Sequence, residues 1–310
     1  MGLGDLGSRA IIGEYYARLE QDLGNTWQAA VSNYFTSSQE SETYKWLGQV
    51  PGMREWIGGR QAKGLRVDGV TIKNVLYEAT LEIDIDDLRR DKTGQILVRI
   101  GELAQRTNAH WAKLLSALIN GGPSTVCYDG QFFFDTDHVT GDSGSQSNDV
   151  SFDAATASAP TAGEFESAIL SSVEAMYGFL DDQGEPINEN ARKFLVMVKP
   201  SHLKAAAAAL NNPIIIDGST SRTNTLTTLG GWQFELAVNA RMSISNAFAT
   251  FRTDGDVQSL IRQEEEGVKV AAIAEGSELE FKERKHHYGV SAIRNVGYGL
   301  WQRSVLTTFT

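Results

Sequence analysis

ILVRIGELAQRTNAHWAKLLSALIN, residues 96–120, decides how this chain is read. Apolar side chains recur at Ile96, Ile100, Leu103, Trp111, Leu114, Leu115 and Leu118, and Thr107 fills the gap at helical spacing. That is the 3.6-residue period of an amphipathic helix. Asp91, Thr93 and Gly94 mark its entrance. Asn120-Gly121-Gly122-Pro123 closes it, because glycine can take the left-handed C′ position and proline cannot continue a helix. A rod of this length spans roughly 37 Å at about 1.5 Å per residue, well beyond the mean globular helix of about 11–12 residues. It is either a backbone on which other segments hang or a long core helix of an α/β enzyme.

The segment before the rod divides by charge. Trp56-Ile57-Gly58-Gly59-Arg60 opens an outgoing leg with Arg60, Lys63, Arg66 and Lys73. The return leg alternates, with Tyr77, Ala79, Leu81, Ile83 and Ile85 on one face and Glu78, Thr80, Glu82, Asp84 and Asp86 on the other. A period of two is a strand with one apolar and one acidic face. An isolated hairpin is marginally stable in water, so a long charge-divided one is expected to lie against something else; the simpler reading is two strands of a larger sheet. Asp84, Asp86 and Asp87 lack the glycine and distal Glu of a calcium loop. Further upstream, residues 8–23 read as a helix with Ile11, Ile12, Tyr15, Tyr16, Leu19 and Leu23 on one face and Ser8 as cap. Residues 26–47 are aromatic-rich without one period, an arm lying on its own domain or on a neighbouring subunit.

After the rod, Asp129-Gly130 signals a turn and Phe132-Phe133-Phe134 reads as a buried strand. Asp135, Asp137 and His138 form a D-x-D-H cluster that could ligate a divalent metal. No second cluster partners it, and nothing local makes Cys127 a nucleophile. Residues 139–162 read as a surface loop. Thr161 and Glu164 have capping-box spacing before a helix with Phe165, Ile169, Val173, Met176 and Leu180 on one face. Phe194–Val198 is a short apolar strand, and Pro200 then starts a helix with alanines at 205–209. No phosphate-binding loop follows it. Residues 231–238 alternate as a strand, Glu264–Glu266 read as solvated, and 278–306 is strand-rich, with His286 and His287 on opposite faces.

Composition narrows the function. The chain has 310 residues and a net charge of −11 from 28 basic and 39 acidic side chains, which argues against wrapping nucleic acid. Cys127 is the single cysteine, so no intrachain disulfide forms and synthesis in a reducing cytosol is expected. No apolar run reaches the roughly 18–20 residues of a membrane span, and the N-terminal stretch lacks the pattern of a secretory signal. No membrane association, cofactor or metal is expected.

In order, the aromatic arm, W-I-G-G-R at 56–60, D-I-D-D at 84–87, the rod ending L-I-N-G-G, Y-D-G-Q-F-F-F-D-T-D-H at 128–138, F-L-V-M-V-K-P-S at 194–201 and H-Y-G-V-S-A-I-R-N-V-G-Y-G-L-W-Q at 287–302 resemble the major head subunits of Mu-like bacteriophages and prophages. The resemblance covers nearly the whole chain and rests on order and spacing, with no catalytic signature. It implies an α+β, tailed-phage (Hong Kong phage type) major-capsid fold. On that pattern 1–53 is an N-terminal arm, 54–95 an extended β-hairpin loop, 96–184 and 276–310 a peripheral domain with 96–120 as spine helix, and 185–275 an axial domain. The function implied is structural and non-enzymatic: self-assembly through pentamers and hexamers into an icosahedral shell around double-stranded DNA bound without sequence specificity. The implied partners are a separate scaffold, protease, portal and decoration protein. The implied location is the virion, after synthesis in the bacterial host cytoplasm. Trp56, Arg60, Lys63, Arg66, Lys73, Glu78, Glu82, Asp84 and Asp86 are the expected subunit contacts, complementary charge setting register across neighbours. Two alternatives stand beside it: a nanocompartment shell of the same fold enclosing cargo proteins, and a metal-dependent hydrolase using Asp135, Asp137 and His138.

Overall fold

A computed structural model describes residues 7–21, 27–45, 69–90, 94–217 and 220–310. Helix α1 (Ser8–Gln21) buries Ile11 and Tyr15, two positions of the expected apolar face. Helix α2 (Trp27–Val31) and strands β1 (Ser32–Thr36) and β2 (Ser41–Tyr44) follow. Of the two placements open to this aromatic stretch, the described part lies on its own chain: Val31 enters the largest core and Tyr44 packs with Ile72 and Ile261.

Strand β3 (Val70–Lys73) pairs with β2, and β4 (Val75–Asp84) carries the alternating return leg. Its apolar face packs as expected, with Ile83 buried and Ala79 and Leu81 against the same core. Its described partner is that of the simpler reading, a strand of a larger sheet. The outgoing leg from Trp56 to Arg66 lies outside the described residues, whereas β4 runs antiparallel to a distant strand, Asp84 opposite Lys285 and Val75 opposite Arg294. The strand stops at Asp84, whose Oδ1 accepts the Asp86 amide at 2.7 Å as the short α3 (Ile85–Arg90) begins.

The rod is present but bent into α4 (Gln95–Asn108) and α5 (His110–Gly121), with Ala109 at φ −69° and ψ −4° between them. Thr107 is the physical reason. Its hydroxyl donates back to Leu103 O at 2.8 Å and accepts from Tyr15 OH at 2.9 Å, and back-bonding of this kind bends helices. Asn108 Nδ2 also donates to Leu19 O at 3.0 Å. The bend lets the two halves serve two cores: Ile96, Ile100 and Ala104 pack with α1, β4 and Tyr288, while Leu115 and Ile119 pack beneath Phe133, Phe134 and Trp301. At the exit, Gly121 and Gly122 keep right-handed helical dihedrals, not the left-handed conformation expected. Gly122 is required by close approach instead, since a Cβ there would sit 2.4 Å from the Phe134 ring. Phe132–Phe134 are not a strand. They lie in a looped segment with a single bridge from Val126 to Phe132, which is partly exposed, while Phe133 and Phe134 are buried.

The rest builds a second layer: β5 (Asp149–Phe152), α6 (Ala162–Gly178), β6 (Lys193–Val198), α7 (Leu203–Asn211), the hairpin β7 (Ile214–Asp217) and β8 (Thr220–Thr223), α8 (Thr225–Thr228), β9 (Gln233–Val238) and β10 (Ala247–Arg252). The capping box forms as read, Glu164 N donating to Thr161 Oγ1 at 3.2 Å and Thr161 N to Glu164 Oε2 at 2.6 Å. Ala206 and Ala209 are fully buried, small enough for α7 to lie close in the core shared with α6. Glu166, fully buried on α6, is held by Arg222 of β8 and by the Thr225 amide at 2.6 Å.

Strands β11 (Leu260–Ile273) and β12 (Lys285–Tyr298), joined through α9 (Glu278–Glu283), form a long antiparallel ribbon, and β13 (Ser304–Phe309) ends the chain. Two sheets result. One has the order β1-β11-β12-β4, the other β5-β13-β10-β6-β9. The second gathers β5 and β13 with strands from 193–252, so a boundary at 185 or 276 cuts across hydrogen-bonded neighbours or the ribbon. Glu264–Glu266 belong to β11, and Glu264 is no solvated charge: it accepts from Tyr34 OH.

Replacing Gly122 with Ala forces a methyl into the Phe134 ring, and overpacking of this kind costs about 1–3 kcal/mol. Urea unfolding of Gly122→Ala is expected to show that loss, whereas Gly178→Ala, where a Cβ meets nothing within 4 Å, is expected to show none.

Candidate assembly interface

Four expected contacts, Trp56, Arg60, Lys63 and Arg66, fall outside the described residues. The others are placed, and the structure gives most of them partners in their own chain. Lys73 Nζ meets Glu40 at 2.8 Å, with both side chains exposed. Glu82 receives Lys285 Nζ at 2.6 Å and His287 Nε2 at 3.0 Å, and these hydrogen bonds hold its carboxyl below the ordinary range. Asp86 takes Arg284 Nη2 at 2.8 Å, and Asp84 turns to the Asp86 amide. The acidic face is thus met by the basic start of β12. Glu78 alone of this set opens onto a cavity, with Thr80 Oγ1 as donor at 2.9 Å.

That cavity is a groove of about 810 Å³ between the bent rod and strands β4, β11 and β12. Its floor is apolar, with Leu81, Leu103, Val268 and Val290. Its helical wall carries Arg99, Arg106 and Lys113, all exposed and spaced by seven residues along the rod. Arg294 joins them from β12 although only 4% exposed. Its guanidinium lies 4.8 Å from the Trp111 ring centroid, its Nη1 is 3.8 Å from Glu264, and its Nε has no hydrogen-bond partner among the described residues. His110 reports the local field: burial, then the charges of Arg294 and Lys113, push its imidazole down to about 4. The seven-residue basic spacing is present in the sequence, on the polar side of the apolar period that marks the rod.

The D-x-D-H cluster does not form a site. His138 is 0% exposed, stacked on Trp301 with centroids 3.9 Å apart and planes at 10°. Its Nδ1 lies 2.6 Å from Asp129 Oδ2 and its Nε2 3.1 Å from Asn148 Oδ1. Asp135 turns away to accept the Phe132 and Thr136 amides at 3.0 and 2.7 Å, while Asp137 is exposed and held above its ordinary pKa beside Asp135. Cys127, Asp129 and His138 do bring one donor atom each within 4.8 Å of one another. Those donors bond to each other: Cys127 Sγ donates to Asp129 Oδ1 at 3.0 Å, and burial, then the Asp129 charge, pushes the thiol well up. Asp129 is pulled the other way. Burial alone would raise its pKa, but hydrogen bonds from His138 and Cys127 outweigh that and lower it. The knot pins a loop.

The model of the Mu-like prophage major head subunit gpT family matches residues 12–162 and 233–308, well over half of the chain. The chain belongs to that family. It is 37% identical over 111 residues to the Mu-like prophage FluMu major head subunit of Haemophilus influenzae, and 35% identical over 102 residues to the major capsid protein of Escherichia phage Mu. These alignments cover 36% and 33% of this chain and the same shares of the relatives, about a third of their length. The fold follows the whole chain. The bacteriophage JBD30 procapsid matches with a TM-score of 0.55 at 22% identity, covering 97% of this chain and 75% of the other. The JBD30 capsid decorated with minor capsid protein trimers matches at 0.50 and 17%, covering 93% and 66%. The fold is that of tailed-phage capsids, as the sequence implied, and family and fold are those of structural proteins, not hydrolases.

His138→Ala removes a partner of the buried Asp129 carboxylate, a class of change that costs roughly 3–5 kcal/mol; denaturant unfolding measures it, and added divalent metal is expected to leave the wild-type midpoint unmoved. The pH sign follows from the depressed Asp129 pKa. Its stabilisation is complete above the unfolded carboxyl value of about 3.9 and is lost as pH falls through the lower folded value. Asp129→Asn is expected to flatten that acid-side decline in midpoint-against-pH curves.

Proposed function

We propose that this protein is the major capsid subunit that self-assembles into the icosahedral head shell of a Mu-like phage or prophage and encloses its double-stranded genome. The family match to both halves of the chain, 12–162 and 233–308, carries the reading. The capsid fold over nearly the whole chain supports it, and the net charge of −11 suits a wall that must not adhere to packaged phosphate. On this reading the sheet β1-β11-β12-β4 with the bent rod is the peripheral body. The sheet β5-β13-β10-β6-β9 with α6 and α7 is the axial body. The protein resides in the virion after synthesis in the host cytoplasm. Minor proteins decorate the JBD30 shell, and a decoration protein is the partner of that kind proposed here, beside scaffold, protease and portal. Trp56 remains a proposed aromatic contact and Arg60, Lys63, Arg66 and Lys73 the proposed basic contacts to neighbouring subunits, and Glu78 is the acidic member of the original set turned to an open groove.

Sedimentation velocity and negative-stain imaging test this directly. Rings of five or six subunits or closed shells are expected, and in particles from the host the contents are nuclease-protected double-stranded DNA. A chain that stays monomeric at every concentration, with and without the other head proteins, overturns the proposal. Particles filled with folded protein instead of DNA return the nanocompartment reading.

A further inference from the structure

The groove along the rod is open among the described residues. An apolar floor under a wall on which Arg99, Arg106, Lys113, Arg241 and Arg294 outnumber Glu78 and Glu102 asks for a segment that carries an apolar side chain and carboxylates together. Bare phosphates have no use for Leu81, Leu103, Val268 and Val290. Arg294 sharpens the requirement. A guanidinium 4% exposed, with Nε unpartnered and its best carboxylate at 3.8 Å, carries a desolvation cost that an incoming anion would offset.

The same chain displays a segment of that kind. Phe281, on α9, is 89% exposed, the most exposed large apolar side chain among the described residues. Glu278 and Glu283 flank it on the same short helix; Glu278 is engaged by Lys282, while Glu283 has neither a hydrogen bond nor an ion pair among the described residues. An aromatic anchor ringed by charge is the usual makeup of an interface hot spot. Phe281 is not among the residues that line the groove of its own chain. It stands at the tip of the ribbon whose strands floor that groove, beyond the pairings Val270 with Val290 and Ile273 with His287.

We propose that α9 of one copy docks in the groove of a second copy, Phe281 on the apolar floor and the Glu278 and Glu283 carboxylates against the wall of Arg99, Arg106 and Lys113. The inference rests on the shell reading and adds the contact. Knob and groove are different patches of one chain, so the contact is heterologous, and repetition generates rings where the rotation closes.

A photocross-linker reads the contact. p-Benzoylphenylalanine is placed at position 281, isotope-labelled and unlabelled chains are mixed, particles are assembled and irradiated, and the cross-linked peptides are sequenced by mass spectrometry. Mixed-label cross-links from position 281 to residues 99–113 or 288–294 are expected. Cross-links in intact particles that map elsewhere, to DNA or only within one chain overturn the docking and leave the shell reading standing. Failure to form any particle from unmodified chain overturns both. As a second arm, Arg99→Glu with Arg106→Glu is expected to raise the concentration needed for assembly about tenfold or more, as loss of a hot spot does. Adding Glu278→Arg and Glu283→Arg is expected to restore it. Circular dichroism confirms folding, and a folded charge-reversed chain that assembles like the wild type overturns the docking.

Discussion

Trp111 meets two guanidinium groups, Arg294 at 4.8 Å and Arg262 at 5.7 Å from its ring centroid. The ring belongs to α5, just past the bend, and both arginines belong to the long ribbon, so this stack joins rod to sheet. Burial pushes both arginines below their ordinary pKa, and what keeps them charged is what surrounds them: the π-face of Trp111, the Glu264 carboxylate and, for Arg262, Ser32 Oγ as acceptor at 2.8 Å. Tyr34 joins the stack edge-on to Trp111 while donating to Glu264. A cation over an aromatic face is worth up to about 2 kcal/mol when desolvated. Loss of the ring would strand two buried charges at once, so the rod cannot slide along the ribbon without uncovering them.

That constraint explains the bend. A straight rod tied to the ribbon at Trp111 could follow one core or the other, not both. Back-bonding by Thr107 turns the axis at Ala109, and α4 and α5 then each bury their own stripe. The groove lies where α4, α5, β4, β11 and β12 meet, with its apolar floor beside Arg99 and Arg106. Charge is distributed to match. Most of the acidic side of β4 is met by Lys285, His287 and Arg284 from the same chain, so it holds the ribbon to its neighbour strand. The groove side of the rod is left net basic, with Arg99, Arg106 and Lys113 against Glu102.

Legibility in the sequence followed the range of the interaction. Features fixed by neighbours a few residues apart were readable: the Thr161–Glu164 capping box, the alternation of 75–84, the apolar run of 194–198 and the periodic face of α6. Features fixed by distant partners were not. Nothing local says that β4 pairs with 285–294, or that β5 joins β13 more than 150 residues later in the same sheet as β6. The bend escaped notice because the apolar period runs through it unbroken, and its cause is a hydroxyl that the helical reading used only to fill a gap. The charge-divided hairpin was half visible, since its basic leg lies outside the described residues and its acidic leg spends its charge within the fold.

The Asp135–His138 cluster shows why residue type alone misleads. Residues 125–148 carry no helix or regular strand, yet Phe133, Phe134 and His138 in it are fully or nearly fully buried. A buried loop must satisfy its backbone without a ladder. Asp135 takes the Phe132 and Thr136 amides, Asn148 takes the Asp135 amide and donates to Phe133 O at 2.8 Å, and His138 closes the knot between Asn148 and Asp129. Short polar side chains do this work best because they reach their own backbone, and they are also the side chains that ligate metals and move protons. Direction separates the two uses. In a site the donors converge on a space where a reacting atom can sit. Here the buried donors Cys127, Asp129, His138 and Asn148 end on other groups of the loop, so the loop is held in one conformation beneath Trp301.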